Sequence, residues 1–311
     1  MAVSRIKLGV LDACVLHRGD TAHSVFSSTL AQAKWCEALG YQRYWLTEHH
    51  AMNLAHSNPE LLLAIIGSHT KKIRIGIAGV LLSLYPPLRV ADTYRTLASM
   101  FTGRVDLGIA RGLPPISRLR ALTTFSTNEE AHSTFAHKAE TLLQILRGEH
   151  ELKPVPAAGP NPAIWFLGST QASAELASHL GARYSHALFL NQEDGSGKIM
   201  DIYRHEFRPS IDLESCATSV GIAGICAETE TAAKLEFSRF EGLGVRASIV
   251  GTPSQCRERI ETICSIYDTD EAVFLSLGSD LRNRMRSLEL LAEAFGYRYS
   301  ARPCFSDSKN G

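Results

Sequence analysis

The sequence predicts a (β/α)8 TIM barrel, a ring of eight parallel strands that each lead into a helix. Short runs rich in β-branched and aromatic residues alternate with amphipathic helical stretches along the 311 residues. Parallel strands need long crossover connections, and a continuous strand–helix alternation of this length closes on itself. Because no proline-rich or low-complexity linker divides the chain, residues 1–311 are interpreted as a single domain.

Eight segments carry the strand pattern, and each is short and rich in β-forming residues. In chain order they are residues 6–13, 43–47, 73–82, 105–110, 163–167, 184–190, 219–226 and 272–277.

The segments between these strands have the apolar spacing of helices, and several have recognisable ends. A helix over residues 24–39 stops at Gly40, and one over residues 88–100 stops before Gly103. Asn58-Pro59-Glu60 opens a third helix with proline in its first turn. The other predicted helices cover residues 128–147, 173–180, 198–206, 228–240, 254–267 and 281–295.

The charge balance argues against nucleic acid and anionic membranes as partners. Lys plus Arg and Asp plus Glu number 32 each, so no basic excess attracts a polyanion. The longest apolar runs, residues 61–67 and 76–82, are much shorter than the roughly 20 residues that span a bilayer. The chain starts directly with a strand and not with a signal sequence, so we expect a cytoplasmic protein. Its seven cysteines have no Cys-x-x-Cys spacing and are interpreted as reduced thiols.

The end of the second predicted strand is the first candidate site. Residues 41–50 form an apolar strand that ends in Glu48, His49 and His50. Burial of three ionisable groups is costly unless each is paired or faces a cavity. Barrel enzymes hold their catalytic residues at the C-terminal ends of strands. Glu48 and His49 are therefore candidate catalytic residues, and the alternative is a carboxylate and an imidazole that stabilise a loop.

Other site chemistries fit the sequence less well. A metal-dependent barrel hydrolase needs His-x-His at the end of its first strand, where this chain has Asp12-Ala13-Cys14. His49, His50 and His56 have no evident third-ligand spacing, so no metal is predicted. The sequence also lacks a dinucleotide-binding Gly-x-Gly-x-x-Gly between a strand and a helix, a P-loop and a Gly-x-Ser-x-Gly elbow. These absences argue against Rossmann, P-loop and serine-hydrolase functions.

Two further strand ends are suited to a phosphate group. The fourth predicted strand runs into Arg111, which places a permanent cation at the barrel mouth. The fifth is followed by Ser169 and by a helix that carries Ser173, so hydroxyls and free backbone N–H groups meet at a helix N-terminus. A surface salt bridge and ordinary helix caps are the alternatives. The convergence of the three residues favours an anion site.

Together these segments resemble the bacterial luciferase-like flavin-dependent monooxygenases. The resemblance extends from the first strand to the last helix and is densest in residues 40–50, 73–80, 87–92, 103–112, 167–169 and 250–253. It implies a barrel that binds reduced FMN (FMNH2) at its C-terminal mouth, activates O2 as a C4a-peroxyflavin and oxygenates a small organic substrate. It also implies that a separate flavin reductase supplies the FMNH2.

The resemblance also assigns roles at the second and third strands. Glu48 and His49 match the acidic residue and the active-site histidine that this family holds beside the flavin. Ala78 and Gly79 match a flavin-contacting pair whose peptide bond is often cis. A histidine with a pKa near 6.5 can handle a proton at neutral pH, which suits His49. Since side chains alternate along a strand, His50 is expected on the opposite side.

At the fourth and fifth strands the resemblance concerns the FMN phosphate. Arg111 matches a phosphate-binding arginine, and Ser169 and Ser173 match the phosphate-binding turn. Luciferases carry a reactive cysteine just before this arginine, whereas this chain has Ala110. Light emission, and anything else that depends on that thiol, is therefore not expected.

Two alternative functions and one assembly state complete the expectations. An F420-dependent oxidoreductase of the same superfamily would need a strongly basic pocket, for which the sequence offers little besides Arg111. A flavin-binding protein without turnover is the second alternative, although the intact Glu48 and His49 argue against it. Residues 61–66 are apolar around much of their helix, which predicts a homodimer through the second and third helices. The segment over residues 240–250 is short where relatives often carry a mobile lid.

Overall fold

The core of the computed structural model, which describes residues 6–50, 53–112, 128–190, 196–240 and 244–297, is a closed eight-stranded parallel barrel. The strands are β1 (Lys7–Asp12), β2 (Arg43–Leu46), β3 (Arg74–Leu81), β4 (Val105–Ala110), β5 (Ala163–Gly168), β6 (Arg183–Ala187), β7 (Thr218–Cys226), β8 (Ile249–Gly251) and β9 (Glu271–Ser276). β1 to β7 follow one another around the barrel, and β9 pairs with both β7 and β1 to close it. The eight predicted strands and the TIM-barrel fold are confirmed. The sequence did not predict β8, which pairs with the end of β7 and is too short for a periodic signal.

Helices surround the barrel. Those described are α1 (Ala22–Leu39), α2 (Pro59–His69), α3 (Pro87–Met100), α4 (Asn128–Arg147), α5 (Gln171–His179), α6 (Lys198–Glu206), α7 (Glu230–Ser238), α8 (Pro253–Ile266) and α9 (Leu281–Ala294), with the side chains of α4 described from residue 134. A short 3-10 helix, Leu82–Leu84, connects β3 to α3. The predicted helix ends lie within two residues of the observed ones, which is the ordinary uncertainty of a helix boundary. No described helix is long and apolar enough to cross a membrane.

The two ends of α1 set how the chain enters β2. At the start of α1, Thr21 Oγ1 accepts a hydrogen bond from Ser24 N, and Ser24 Oγ accepts one from Thr21 N. At its end, Gly40 takes φ 89°, a left-handed conformation that favours glycine. The chain turns there and enters β2 three residues later. Both ends of α1 are therefore capped, and the candidate site at the end of β2 lies a few residues after this helix.

The strand side chains form two layers of core. In β9, Ala272 and Phe274 point outward and pack under the helices, whereas Val273 and Leu275 point into the barrel lumen. This alternation is the period of two expected of a strand with helices on one side and the lumen on the other. The lumen layer is what a ligand at the barrel mouth would contact.

A network of buried charges closes the N-terminal end of the lumen. The Arg43 guanidinium lies between the rings of Trp45 and Trp165, 4.9 and 4.6 Å from their centroids. It donates to both carboxylate oxygens of Glu271 and, at 2.6 Å, to Asp106. Every charge in this group is paired, as burial requires.

Asp106 is the centre of that network. Its Oδ2 accepts hydrogen bonds from Arg43 and from Trp45 Nε1 at 2.9 Å, and its Oδ1 accepts two from Arg74 at 2.6 and 2.9 Å. The side chain is completely buried. Burial raises the pKa of the neighbouring Glu271, an effect that Arg43 partly offsets. This network was not predicted from the sequence.

Candidate active site

A cavity of about 610 Å³ opens at the C-terminal mouth of the barrel. All eight barrel strands, or the residues that follow them, contribute to its wall. The volume lies within the range of small-molecule and cofactor sites. Its position is the one at which barrel enzymes hold their active sites.

The cavity brings all the predicted site residues together. Each of them lines its wall, although they come from four different strand ends; the residues are Glu48, His49, Ala78, Gly79, Arg111, Ser169 and Ser173. Their juxtaposition in one cavity is observed, whereas their individual roles stay predictions.

Glu48 is the most constrained of these side chains. It is 2% exposed, and its Oε2 accepts a hydrogen bond from Leu81 N at 3.0 Å. Its Oε1 accepts one from Tyr85 Oη at 2.6 Å and lies 2.7 Å from His50 Nε2. Burial, followed by the hydrogen bond to Glu48, raises the pKa of Tyr85, so the phenol stays protonated and donates. The carboxylate is therefore held by β3, by Tyr85 and by the adjacent imidazole.

His49 and His50 differ from the sequence-based expectation. Both line the cavity, so the prediction that His50 lies on the opposite side is wrong. The reason is that β2 ends at Leu46, and strand alternation does not extend through the irregular residues that follow. His50 is bound to Glu48, whereas His49 makes no hydrogen bond to the rest of the described chain. Burial, and then the proximity of His50, lowers the pKa of His49.

The floor of the cavity includes Ala78 and Gly79 at the end of β3. The peptide bond between them is cis, which confirms the sequence-based prediction. A Cβ built on Gly79 would lie 3.0 Å from Ala110 N and 3.0 Å from a methyl group of Leu167. Glycine thus allows β3, β4 and β5 to approach one another closely beneath the cavity.

The turn from β5 into α5 forms another part of the wall. Ser173 Oγ donates to Thr170 O at 2.6 Å and accepts from Thr170 N at 3.3 Å, so this hydroxyl caps its own helix. A Cβ on Gly168 would lie 2.4 Å from that same oxygen, which explains glycine at this position. Ser169 lines the cavity beside the start of the helix, and Arg111 lines it from the end of β4.

Two residues of the site were not predicted from the sequence, namely Tyr85 and the Glu48-bound His50. Tyr85 lies just after the 3-10 helix and reaches Glu48 from 37 positions away in the chain. No local pattern marks such a contact. In the parts of the chain that the structure describes, no three His, Cys, Asp or Glu side chains are grouped as metal ligands.

Comparison with known proteins identifies the family of this barrel. A family model described as luciferase-like monooxygenase matches residues 6–244, which is well over half of the chain. The chain belongs to the luciferase-like monooxygenase family. It is accordingly an oxidoreductase, and the resemblance noted from the sequence motifs is confirmed.

Individual relatives of this luciferase-like monooxygenase cover nearly its whole length. It is 31% identical to the uncharacterized protein YwcH of Bacillus subtilis (strain 168), over 93% of this chain and 99% of that protein. The crystal structure of apo-MsnO8 is 29% identical, with a TM-score of 0.86 over 95% of this chain and 100% of the other. The oxygenating constituent of 3,6-diketocamphane monooxygenase from Pseudomonas putida, solved in complex with FMN, shares the fold at 18% identity, with a TM-score of 0.73 over 96% and 100% of the two chains.

Proposed function

We propose that this protein uses reduced FMN and O2 to oxygenate a small organic substrate. The observation that carries the proposal is the composition of the cavity at the barrel mouth. It combines the Ala78–Gly79 segment of β3, the guanidinium of Arg111 with the hydroxyl of Ser169, and the imidazole of His49. A flavin mononucleotide needs the first two features, and proton handling during oxygenation needs the third.

The donor set fits a monophosphate better than a longer anionic tail. The N-terminus of α5, the Ser169 hydroxyl and the Arg111 guanidinium would hold the FMN phosphate, and the Ala78–Gly79 peptide would lie against the ring system. Arg111 is the single lysine or arginine among the described residues of the cavity wall, which disfavours the polyanionic F420. When bound, reduced FMN would supply the electrons that O2 activation requires.

The remaining groups are suited to managing protons and water. Because burial and His50 lower the pKa of His49, its imidazole is neutral at pH 7 and can accept a proton at a ring nitrogen. Glu48 would act as a positioning residue that fixes His50 beside it. Apolar side chains make up most of the surrounding wall and would limit access of water to the reacting atoms.

The decisive experiment is turnover with chemically reduced FMN under 18O2, using a panel of neutral ketones, aldehydes and arenes. We expect one 18O atom in the product of at least one substrate. His49→Ala should leave FMN binding nearly intact while it slows product formation by about 10²–10⁴ and raises release of H2O2. His205→Ala, at an exposed histidine outside the cavity, is the matched control. Normal oxygenation by His49→Ala would reduce this residue to a packing role, and flavin binding without any oxygenation would favour the binding-protein alternative.

A separate flavin reductase is the proposed source of FMNH2. The sequence has no Gly-x-Gly-x-x-Gly motif for a pyridine nucleotide between a strand and a helix. The protein with NADH and free FMN should therefore oxidise NADH negligibly until a reductase is added. Rapid NADH consumption by the protein alone would contradict this part of the proposal.

A homodimer through α2 and α3 is also proposed. Leu61 and Ile65 on α2 are 72% and 47% exposed, and Met100 at the end of α3 is 58% exposed. Exposed apolar side chains on neighbouring helices are typical of an interface between subunits. Light scattering at micromolar concentration should give twice the mass of the chain, and a monomer would contradict the proposal. A cytoplasmic location stays a prediction.

A further inference from the structure

The wall of the cavity is divided into a polar and an apolar part. Its described ionisable side chains all follow β2, β4 or β5, and they are Glu48, His49, His50, Arg111, Glu175 and His179. The opposite part, from β1, β6, β7 and β9 and the loops after them, contains none among the described residues. We call this part the apolar wall and define it by Leu11, Phe189, Leu190, Val245, Val273 and Leu275.

Strand register builds the deep layer of the apolar wall. Leu11 of β1 and Leu275 of β9 are paired neighbours, and both point into the lumen, as does Val273 two residues earlier. Gly221 of β7 is paired with Val273. These positions belong to the barrel strands and not to loops, so their side chains are fixed by the barrel itself and form a rigid surface.

Two loops build the outer layer. A Cβ on Gly221 would lie 2.9 Å from Phe189 Cε1, so the absence of a side chain there makes room for the phenyl ring. Arg246 N donates to Phe189 O at 2.9 Å and ties the loop after β6 to the segment that carries Val245. Phe189 and Val245 are thereby brought to the same side of the cavity mouth.

This half of the cavity wall has few polar groups among the described residues. Ser185 is its one polar side chain among the described residues, and its Oγ accepts a hydrogen bond from Ser219 Oγ at 2.8 Å. A charged substrate group placed against the apolar wall would lose its hydration without gaining a partner. Arg111, the one arginine among the described residues that line the cavity, lies at the corner assigned to the flavin phosphate.

From this division, and resting on the proposed function, we infer that the substrate is bound through an uncharged apolar body that occupies the apolar wall. The part of the substrate that enters the barrel therefore carries no anionic group, which argues against sulfonates and polycarboxylates as substrates. The wall is an inner surface with aromatic and branched aliphatic side chains, and it suits aryl, polycyclic or long alkyl groups.

A binding experiment without turnover tests this inference. Protein saturated with oxidised FMN is titrated by calorimetry with 2-acetylnaphthalene, 2-naphthoate and 2-naphthylmethylammonium, which share a ring system and differ in charge. We expect the neutral probe to bind at least about tenfold more tightly than either ion. Equal or tighter binding of either ion, or no measurable binding of the neutral probe, would overturn the inference.

Substitutions at the cavity rim locate the binding surface. Leu190→Glu and Val245→Asp should each weaken the neutral probe by about tenfold or more, with FMN affinity unchanged. Leu235→Glu is the matched control. Leu235 on α7 and Leu190 are similarly exposed, at 53% and 55%, but Leu190 lines the cavity and Leu235 lies outside it. If neither rim variant alters binding of the neutral probe, the apolar wall is not its site. Failure of the wild-type protein to bind FMN would instead contradict the proposed function, since the two affinities are measured separately.

Discussion

Both ends of the barrel bury charged side chains, but they satisfy them in different ways. At the N-terminal end, Asp106 accepts hydrogen bonds from two arginines and an indole, and Arg43 is enclosed by two tryptophan rings. At the C-terminal end, Glu48 is equally buried and well bonded, yet the histidines beside it face an open cavity. The first arrangement uses its charges to connect strands, and the second keeps two imidazoles accessible to a ligand.

This difference distinguishes charged groups that stabilise the fold from charged groups that are available to a ligand, and it rests on this structure alone. A closed network in which every donor has an acceptor has no capacity left for a ligand. A carboxylate that fixes a neighbouring imidazole at a cavity wall leaves that imidazole able to exchange a proton with a ligand. Substitutions at the two ends should therefore affect different properties, stability at one end and binding or proton affinity at the other.

The largest effect is expected at the N-terminal end. Asp106→Asn removes the buried charge that Arg43 and the partly exposed Arg74 share, and loss of one partner of a buried ionic network typically costs about 3–5 kcal/mol. We expect a clear fall in the urea midpoint, measured by circular dichroism. Asp270→Asn is the matched control, since Asp270 pairs with Lys7 in a largely exposed ion pair and its loss should change little. An unchanged midpoint for Asp106→Asn would show that the network does not support the barrel.

An intermediate effect, on flavin affinity, is expected at Arg111 in the proposed phosphate-binding part of the cavity. Arg111→Ala should weaken FMN by about 10- to 100-fold, because a charge-assisted bond to phosphate contributes about 1.5–3 kcal/mol. Riboflavin, which has no phosphate, should bind the wild-type protein much more weakly than FMN and should be insensitive to the substitution. Fluorescence titration of both flavins measures this, with the exposed Arg282→Ala as control. Equal affinity of the wild-type protein for riboflavin and FMN would remove the phosphate assignment.

The smallest effect concerns the proton affinity of His49. Its pKa lies below the usual 6.5 because of burial first and of His50 second. The neutral form therefore persists to a lower pH than in a free histidine, and protonation is completed only below the ordinary range. His50→Gln removes the second cause and should move the titration midpoint of His49 upward, as followed by NMR of its imidazole Cε1 proton. A midpoint that stays or falls would mean that burial alone sets this pKa.

Much of the fold and part of the site were predictable from the sequence. Strand and helix periods, glycine stops and capping residues are local signals, and they placed the eight barrel strands and the helices. Glu48, His49, Arg111, Ser169 and Ser173 followed from residue types at strand ends, because parallel strands deliver their C-terminal ends to one mouth. The cis peptide at Ala78–Gly79 was inferred from family resemblance and not from any physical property of the two residues.

The parts that were not predictable depend on contacts between distant positions. Arg43 meets Asp106 and Glu271 across 63 and 228 positions, so nothing near any of the three indicates the pairing. Tyr85 reaches Glu48 in the same way, across 37 positions. The position of His50 was mispredicted for a different reason, namely that a strand period was applied beyond the residue at which the strand ends.

The pairing of β1 with β9 has a consequence for synthesis of the chain on the ribosome. Lys7 is in register with Glu271 and Leu11 with Leu275, so the second edge of β1 stays uncovered until β9, the last of the described strands, has been made. Until then Arg43 lacks one of its carboxylate partners, and the cavity mouth lacks a section of its wall. Nascent chains that end before Glu271 therefore have an unpaired strand edge on β1, which can pair with another chain and cause aggregation. Barrel closure is therefore expected only after β9 has been synthesised and can pair with β1.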